Sequence, residues 1–426
     1  MRAAWLILLA AATTVYGQEA LAVEQADTCR ECHGAMERDL TRPAQLFADD
    51  IHKENGFSCV DCHGGDPSSY DPEESMSVNK GFHGKLSRGQ VPEMCGSCHG
   101  DPSVMHEFKP QQRVDQLVQY RTSVHGQRLA KGDLKVANCM DCHSVHDIRE
   151  VRHALSPVHP LHVARTCGHC HDDAEHMEGY PIPVGQLADY ERSVHWEALD
   201  ARGNLSALSC ATCHGNHRAA PPGVGAVAQV CGSCHIVFQN AFEQSPHKPV
   251  FEAMELAACI VCHGNHEILA PAPGMLGVGE KASCVQCHSE GEPAYAVARL
   301  MKEQIDELTT ELVQSKHITD VAEQAGMEVS DGLMQWTSAN EELIKARVQV
   351  HSFQSERVSE PIEQGLQLAA LGRQIGTEAL EEKEFRRKGL ALSMITIFIT
   401  MAGLWLAVRA LESRGSSPGS DGAGGG

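Results

Sequence analysis

Residues 139–146 read CMDCHSVH, and this arrangement of cysteine and histidine decides how the rest of the chain is interpreted. Two cysteines are separated by two residues, a histidine follows the second cysteine directly, and another histidine comes three positions later. Residues 210–217 (CATCHGNH) and 259–266 (CIVCHGNH) have the same arrangement. Because the spacing is the same in all three segments, the pattern predicts a repeated chemical site.

Every one of the 18 cysteines belongs to a CxxCH motif. CxxCH is the attachment sequence of c-type haem, in which two thioethers hold the macrocycle and the next imidazole becomes the proximal iron ligand. Zinc ribbons would not require the histidine, and neither disulfides nor thioredoxin-like pairs explain both the constant gap and the histidine. The sequence therefore predicts about nine haem c groups, in a chain that is exported before they are attached. The nine motifs are Cys29/Cys32/His33, Cys59/Cys62/His63, Cys95/Cys98/His99, Cys139/Cys142/His143, Cys167/Cys170/His171, Cys210/Cys213/His214, Cys231/Cys234/His235, Cys259/Cys262/His263 and Cys284/Cys287/His288.

The chain between about residue 120 and residue 288 consists of three repeats. Each begins with a Ser-x-His element, continues with CxxCHxxH and ends with a plain CxxCH. A repeat thus holds two motifs and two further histidines, so the counts match if each iron takes a second, distal imidazole. Which histidine serves which iron stays open, because a ligand can cross between repeats. The predicted distal ligands are His125, His146, His195, His217, His247 and His266.

The region before the repeats contains three motifs in looser spacing. His52 and His83 lie where the Ser-x-His histidines lie later, and both are predicted to be distal ligands. The ninth distal ligand is undecided, and methionine is a further option. His351 is kept among the candidates because it lies at the edge of an apolar helical stripe. The histidines open for this role are His106, His159, His162, His176, His317 and His351.

Composition supports an interior filled by something other than aromatic side chains. Phe, Trp and Tyr make up only 5% of the residues, which bound macrocycles would explain. The formal net charge is −21, and such an acidic chain is unsuited to nucleic acid. The predicted fold class is a mostly irregular or α-helical multihaem domain with a haem-filled core, followed by a helical segment and one C-terminal transmembrane helix.

The two ends of the chain carry targeting signals. Residues 1–22 combine one positive charge with a short apolar run and are predicted to be a cleaved signal peptide. Residues 389–408 contain no charge and are long enough to span a bilayer, with a buried core helix as the alternative. Residues 409–426 are predicted to form a flexible, Gly/Ser-rich tail. We expect an inner-membrane anchor with the haem domain in the periplasm, although the positive-inside count weakly favours the opposite orientation.

Between these ends the sequence divides into three parts. Residues 23–118 form the three-haem region, residues 119–293 the three dihaem repeats, and residues 294–388 a cysteine-free helical connector. Apolar residues in the connector recur at helical spacing, which predicts two packed helical faces. The faces consist of Met301, Ile305, Leu308 and Leu312, and of Leu343, Ala346, Val350 and Phe353. Gly326, Gly332 and Pro361 are expected to divide the connector into helices.

The run YRTSVHG, CMDCHSVH, CGHCH, followed by YERSVHW, CATCHGNH, CGSCH, resembles the bacterial multihaem cytochromes c with doubled CxxCH motifs. The resemblance covers roughly residues 26–290 and implies bis-histidine iron, stacked haem pairs and little regular secondary structure. The lysine-ending motif of the cytochrome c nitrite reductases is absent. The small quinol dehydrogenases with an N-terminal anchor and four or five haems also differ, because this chain has more motifs and a C-terminal anchor.

The main functional hypothesis is electron transfer in an anaerobic respiratory chain. The partners would be a membrane oxidoreductase or quinol-linked complex, and periplasmic or outer-membrane cytochromes. The alternative is a multihaem enzyme in which one iron has an open site and acts on a nitrogen or sulfur compound. A third hypothesis is an assembly or sensory subunit. An electron carrier is the more favoured interpretation because bis-imidazole iron has no free coordination position.

Overall fold

The computed structural model describes residues 27–36 and 38–415 of the chain. The predicted signal peptide lies outside these residues, as does residue 416 onward of the predicted tail. The described residues form helices and turns and contain no β-strand. The expected fold class, an irregular helical haem-binding part followed by helices and a long apolar C-terminal helix, is confirmed.

The chain separates into two compact units. The first comprises residues 1–188 and 195–220, and the second comprises residues 189–194 and 221–426. Short α-helices dominate the chain up to residue 263. They are α1 (Thr28–Ala35), α2 (Thr41–Leu46), α3 (Ile51–Glu54), α4 (Cys59–His63), α5 (Pro72–Ser75), α6 (Val91–His99), α7 (Pro102–Phe108), α8 (Gln116–Thr122), α9 (Val124–Ala130), α10 (Cys139–His143), α11 (Val163–His171), α12 (Ala174–Met177), α13 (Gln186–Glu191), α14 (Val194–Trp196), α15 (Cys210–His214), α16 (Val227–Gly232), α17 (Ile236–Glu243), α18 (His247–Ala253) and α19 (Ala258–His263).

Three long helices follow: α20 (Pro293–Gln324), α21 (Ser330–Gln349) and α22 (Ser355–Gly415). Single turns of other helix types connect the elements. A π-helical turn lies at Glu197–Ala201. The 3-10 turns lie at Arg38–Leu40, Phe47–Asp49, Val78–Lys80, Val224–Ala226, Pro273–Met275, Cys284–Gln286 and Val350–Ser352.

Three of the CxxCH motifs are themselves one-turn helices with a capping box. In α10 the backbone N–H of Asn138 donates to the Asp141 carboxylate at 2.7 Å, while the Asn138 side chain accepts from the first turn. Ser58 with Asp61, and Ser209 with Thr212, make the same arrangement in α4 and α15. Because one helical turn holds 3.6 residues, this local structure brings both cysteines to one face, with the histidine directly after them.

The Ser-x-His elements are helix starts. Ser123 is buried and caps α9, with its hydroxyl accepting from the Gly126 N–H at 2.9 Å and donating to the Tyr120 carbonyl at 2.6 Å. His125 therefore lies in the first turn of a capped helix. Asp50 takes the place of the serine before His52 and caps α3 through the backbone N–H of that histidine.

Helices α20, α21 and α22 pack together around an apolar core, and we call this part the bundle. The predicted face of α20 is buried in this core, from Met301 to Leu312. Leu343 and Ala346 of α21 meet it. The expectation that Phe353 continues the face of α21 was wrong. The helix ends at Gln349, and Phe353 has a left-handed backbone with φ of 54° in the link to α22.

Helix α22 continues from the bundle into the apolar segment without a break. It has 61 residues, which corresponds to about 90 Å at 1.5 Å per residue. Pro361 lies inside it and does not end it. All residues from 389 to 408 are exposed. By length and composition this helix is able to cross a membrane, as predicted, and it is the one helix among the described residues that qualifies.

Candidate haem-ligand sites

All 18 cysteines lie in the described part of the chain as thiols, and none of them is joined in a disulfide. The sulfur atoms of every CxxCH motif are therefore chemically available for thioether bonds. Burial raises the pKa of several of these thiols, for example Cys59 to about 12, where nearby Asp27 adds to the effect.

Imidazole rings face each other in pairs, each made of one motif histidine and one histidine outside the motifs. The distances between ring centres are nearly constant. They are 5.9 Å for His52–His99, 6.1 Å for His63–His146, 6.0 Å for His125–His171, 6.0 Å for His143–His217, 6.0 Å for His247–His288 and 6.1 Å for His263–His351.

This spacing fits a metal ion held between two imidazoles. A metal–imidazole nitrogen bond is about 2 Å long and the ring centre lies about 1 Å behind the nitrogen, so two rings on one metal have centres about 6 Å apart. Rings in ordinary aromatic contact have centre distances spread over roughly 4.5–7 Å. Six of the pairs instead lie between 5.9 and 6.1 Å, and a seventh contact of this kind, between His63 and His83, measures 6.2 Å. The residues present therefore fit six-coordinate haem iron.

The partner of a motif histidine comes from one of two directions along the chain. The motif histidines His99, His171 and His288 each face a histidine from an upstream helix start. The motif histidines His63, His143 and His263 each face a histidine far downstream. The sequence left the pairing open, and this geometry supplies an arrangement in which neighbouring repeats exchange histidines.

Two of the remaining motif histidines, His214 and His235, lie near another motif histidine. His235 packs edge-on against Phe238, with ring centres 6.0 Å apart. Burial lowers the pKa of the His263 imidazole, and nearby His235 adds to the effect. His214 has the same effect on the pKa of His171. The proximal-ligand roles of His33, His214 and His235 therefore stay predictions from the CxxCH pattern.

A backbone hydrogen bond recurs at each exchange. The residue before the helix-start histidine donates its N–H to a carbonyl two positions after the CxxCHxxH segment of the next repeat. The bonds are Ile51 to Ile148 at 2.8 Å, Val124 to Ala219 at 3.2 Å and Val194 to Ile268 at 2.9 Å. The helix start of one repeat is thereby fixed to the turn that carries the second histidine of the next.

Buried groups orient some of these imidazoles. The Asp50 carboxylate is 1% exposed and lies 2.9 Å from His52 Nδ1, and it also accepts the N–H of Ile148 at 2.8 Å. Burial opposes ionisation of Asp50, but the hydrogen bonds from His52 and Ile148 outweigh it and lower its pKa. When Nδ1–H donates to the carboxylate, Nε2 is left unprotonated and able to bind a metal.

Backbone carbonyls orient two other imidazoles in the same way. His63 Nδ1 lies 2.9 Å from the Gly84 carbonyl, and His351 Nδ1 lies 3.2 Å from the Val348 carbonyl. A carbonyl oxygen only accepts hydrogen bonds, so Nδ1 carries the proton in both rings. Nε2 again is the nitrogen available to iron.

Consecutive motifs are neighbours in space within each unit. Three pairs of cysteines from consecutive motifs lie close together: Cys95 and Cys139, Cys167 and Cys210, and Cys231 and Cys259. The neighbouring Cys139 thiol lowers the pKa of Cys95 to about 7. Three further neighbours are close enough for one thiolate to raise the pKa of the other: Cys59 near Cys29, Cys62 near Cys95, and Cys142 near Cys170. In the second unit Cys262 lies near Cys284. The spatial order of the motifs thus follows their order in the sequence.

The second cysteines of the motifs differ in which neighbouring cysteine they affect. Cys32 raises the pKa of Cys29 in its own motif, whereas Cys98 and Cys287 raise the pKa of a cysteine in the preceding motif, Cys62 and Cys262 respectively.

Exposure also differs among the second cysteines. Cys62, Cys234 and Cys287 are exposed, while Cys32, Cys98 and Cys213 are among those that are half-buried. The hydroxyls of Ser97 and Ser233 each donate to the adjacent thiol, Cys98 or Cys234, at 3.9 Å. No ring or sulfur geometry at these positions tests haem attachment directly. The thioether roles of all 18 motif cysteines, Cys32, Cys98, Cys213, Cys234 and Cys287 among them, therefore stay predictions from the CxxCH pattern.

Several candidate distal histidines are placed otherwise. His83 faces His63 at 6.2 Å, beside the closer His146. His159 and His162 face each other at 5.6 Å and not a motif histidine. His106 and His317 are exposed. The distal roles of His195 and His266 stay predictions, as does that of His176.

Sequence reasoning missed Asp50, although a signal was present. Asp50-Ile51-His52 has the spacing of Ser123-Val124-His125, with a carboxylate in the position of the hydroxyl. Both side chains cap a helix, but only the carboxylate also reaches the imidazole. An aspartate at the position that serine occupies in the later helix starts is therefore the sequence feature that indicates a second role for Asp50.

Comparisons with known proteins agree with this chemistry. The family model of cytochrome c3 matches residues 51–172, and the model of the doubled CXXCH motif matches residues 247–293. No curated protein and no solved structure gives a significant match. Each matched segment contains at least one facing imidazole pair as well as CxxCH motifs. Both matches imply covalently bound haem c and multihaem electron transfer, and over these two segments the chain is similar to the multihaem cytochromes c.

Proposed function

We propose that this protein carries nine haem c groups with bis-histidine iron and conducts electrons along them within a membrane-linked, anaerobic respiratory chain. The observation that carries the proposal is the set of motif histidines facing a second imidazole at about 6 Å. Bound haem supplies a one-electron iron couple. With an imidazole on both sides, the iron has no position for a substrate.

The CxxCH pattern and the ring geometry support the following roles for the chain's own residues. The cysteines fix each macrocycle and the motif histidines are the proximal ligands. The distal ligands include His52, His125, His146, His217 and His247, and, from the sequence pattern, His83, His195 and His266. Asp50 and the Gly84 carbonyl hold Nδ1 of two ligands and so set which ring nitrogen meets the metal. The contacts between consecutive motifs favour a linear path in each unit.

The anchor and the export signals support a location. We assign α22 to the inner membrane as a single C-terminal span, with a signal peptide at residues 1–22 and the haem domain in the periplasm. Maturation of haem c outside the cytoplasm agrees with this side. The partners would be a membrane oxidoreductase or quinol-linked complex on one side and periplasmic or outer-membrane cytochromes on the other.

The test is a haem count and a spin-state measurement on the full-length protein in detergent. We expect nine haems per chain by mass and by haem-to-protein ratio, low-spin ferric EPR signals, and ferrous optical spectra that CO does not change. Fewer haems would contradict the count. High-spin, CO-reactive iron at several sites would contradict bis-histidine ligation.

A second candidate function has its own supporting observation. His83 lies against His63, which already faces His146, and not against His33 of the first motif. If His146 binds that iron, His83 is spare and the iron of the first motif has one side open. This would favour an enzyme that acts on a nitrogen or sulfur compound. One high-spin haem that binds CO or nitrite, unchanged by His83→Ala, would support this alternative, with the exposed His106→Ala as control.

A further inference from the structure

We infer that the bundle takes the place of a further repeat at the end of the haem array and supplies His351 as the distal ligand of the iron held by His263. This inference rests on the proposed bis-histidine haems. It assigns an iron ligand to a part of the chain that has no cysteine and no CxxCH motif.

The ring geometry of this pair matches that of the exchanged pairs inside the repeats. His351 and His263 have centres 6.1 Å apart and planes inclined by 14°. The corresponding values are 6.0 Å and 10° for His217 with His143, and 6.1 Å and 22° for His146 with His63. In each case the partner of an opening-motif histidine comes from the next element along the chain. After the last repeat, the next element is the bundle.

The bundle also contacts the last helix start, as a following repeat would. The side chain of Gln244, directly before the Ser245-Pro246-His247 element, accepts a hydrogen bond from Arg357 at 2.9 Å. Phe353 packs on the ring of His247 with centres 3.9 Å apart. In the earlier repeats a backbone bond from the next repeat performs this fixation. Here side chains of the α21–α22 link perform it.

The local structure of His351 holds the ring in place for this role. It lies in a single 3-10 turn between α21 and α22, and the neighbouring Ser352 is fully buried with its hydroxyl bonded to the Gln349 carbonyl. The Val348 carbonyl accepts the hydrogen bond from Nδ1–H of His351, which leaves Nε2 free to bind the metal. Phe238 packs edge-on against the ring at 5.0 Å and restricts its rotation.

The test is His351→Ala in the full-length protein, with His317→Ala on the exposed surface of α20 as the matched control. We expect one haem in nine to become high-spin and to bind CO, and added imidazole to restore the low-spin spectrum. The control should keep the wild-type spectrum. A His351→Ala protein in which every haem stays low-spin and CO-inert would overturn the inference.

A second variant decides the matter if the alanine variant does not assemble. His351→Met offers iron another ligand of suitable reach, and Met/His ligation raises the reduction potential. We expect one haem to shift to a higher midpoint potential and to show the absorption band of methionine-ligated ferric iron. Unchanged potentials would overturn the inference. If instead the wild type itself lacks bis-histidine spectra, the proposed function fails, so the two failures are distinguishable.

Discussion

The haem-binding repeats and the bundle are organised around different kinds of interior. The bundle has a contiguous core of ten buried apolar side chains, and both apolar clusters found among the described residues lie in it. In the first unit, buried Asp50, Ser123 and Asn138 cap short helices that carry ligands. The comparison teaches that the bundle is held by its own side chains, whereas the repeats are arranged to enclose another group.

The largest expected effect comes from withholding haem. If the chain is produced without haem attachment, we expect the region up to about residue 290 to lose its fixed structure, because short helices are marginal without tertiary packing. The bundle should keep its helices, since its core contains no ligand. Limited proteolysis with mass spectrometry, and circular dichroism, would measure this.

The mature protein treated the same way is the control, and it should resist proteolysis throughout. Protection of the CxxCH segments in the haem-free chain would break the comparison. It would mean that the repeats hold together through protein contacts alone.

A core substitution in the bundle tests the other half of the comparison. Leu308 is fully buried in α20, and Leu308→Ala should lower the free energy of unfolding of the bundle by about 2–5 kcal/mol. Val313→Ala on the same helix is the control, since Val313 is 66% exposed and its truncation should change stability by less than about 0.5 kcal/mol. Denaturant unfolding followed by circular dichroism gives both values.

In both variants the spectra of the haems should stay the same, except for the spectrum of the haem that faces His351. Equal losses for Leu308 and Val313 would show that the apolar cluster does not carry the stability of the bundle. A general collapse of the haem spectra would show instead that the repeats depend on it.

The sequence predicted the cofactor and the helical core for the same reason: both depend on local spacing. The CxxCH motifs act over five residues, and the α20 face from Met301 to Leu312 follows a helical period. The pairing of imidazoles was not readable, because His217 meets His143 across a whole repeat. Counting histidines gives the number of ligands but not their partners, which depend on how chain segments distant in sequence meet.

The link between α21 and α22 shows the same limit in the bundle. Periodicity placed Phe353 on a helix face, but the helix ends before it. Its left-handed backbone turns the chain, so that His351 and Phe353 point toward the haem-ligand side chains of the same unit. Periodicity alone assigned Phe353 to the core of the bundle. The end of the helical period at this turn instead places it beside the proposed ligand His351.

The smallest expected effect compares how the two regions hold a distal imidazole. His52 donates Nδ1–H to the buried carboxylate of Asp50, whereas His351 donates to the neutral Val348 carbonyl. A negative charge on the ligand's hydrogen bond makes the imidazole more basic and stabilises ferric iron. Asp50→Asn removes the charge and should raise the midpoint potential of one haem, on the order of 60 mV if the charge is worth about 1.4 kcal/mol. Spectroelectrochemical titration measures it.

The control for this change is Asp49→Asn, one residue earlier, whose carboxylate is 70% exposed and pairs with Arg149. It should leave all the potentials within a few millivolts of the wild type, because an exposed charge is screened by water and salt. The haem count and the low-spin spectrum should be intact in both variants, which separates tuning from loss of the ligand. Equal shifts in the two variants would mean that surface charge, and not the bond to His52, sets the potential. The imidazole bonded to a carboxylate and the imidazole bonded to a carbonyl would then be electronically alike. The repeats and the bundle would differ in packing alone.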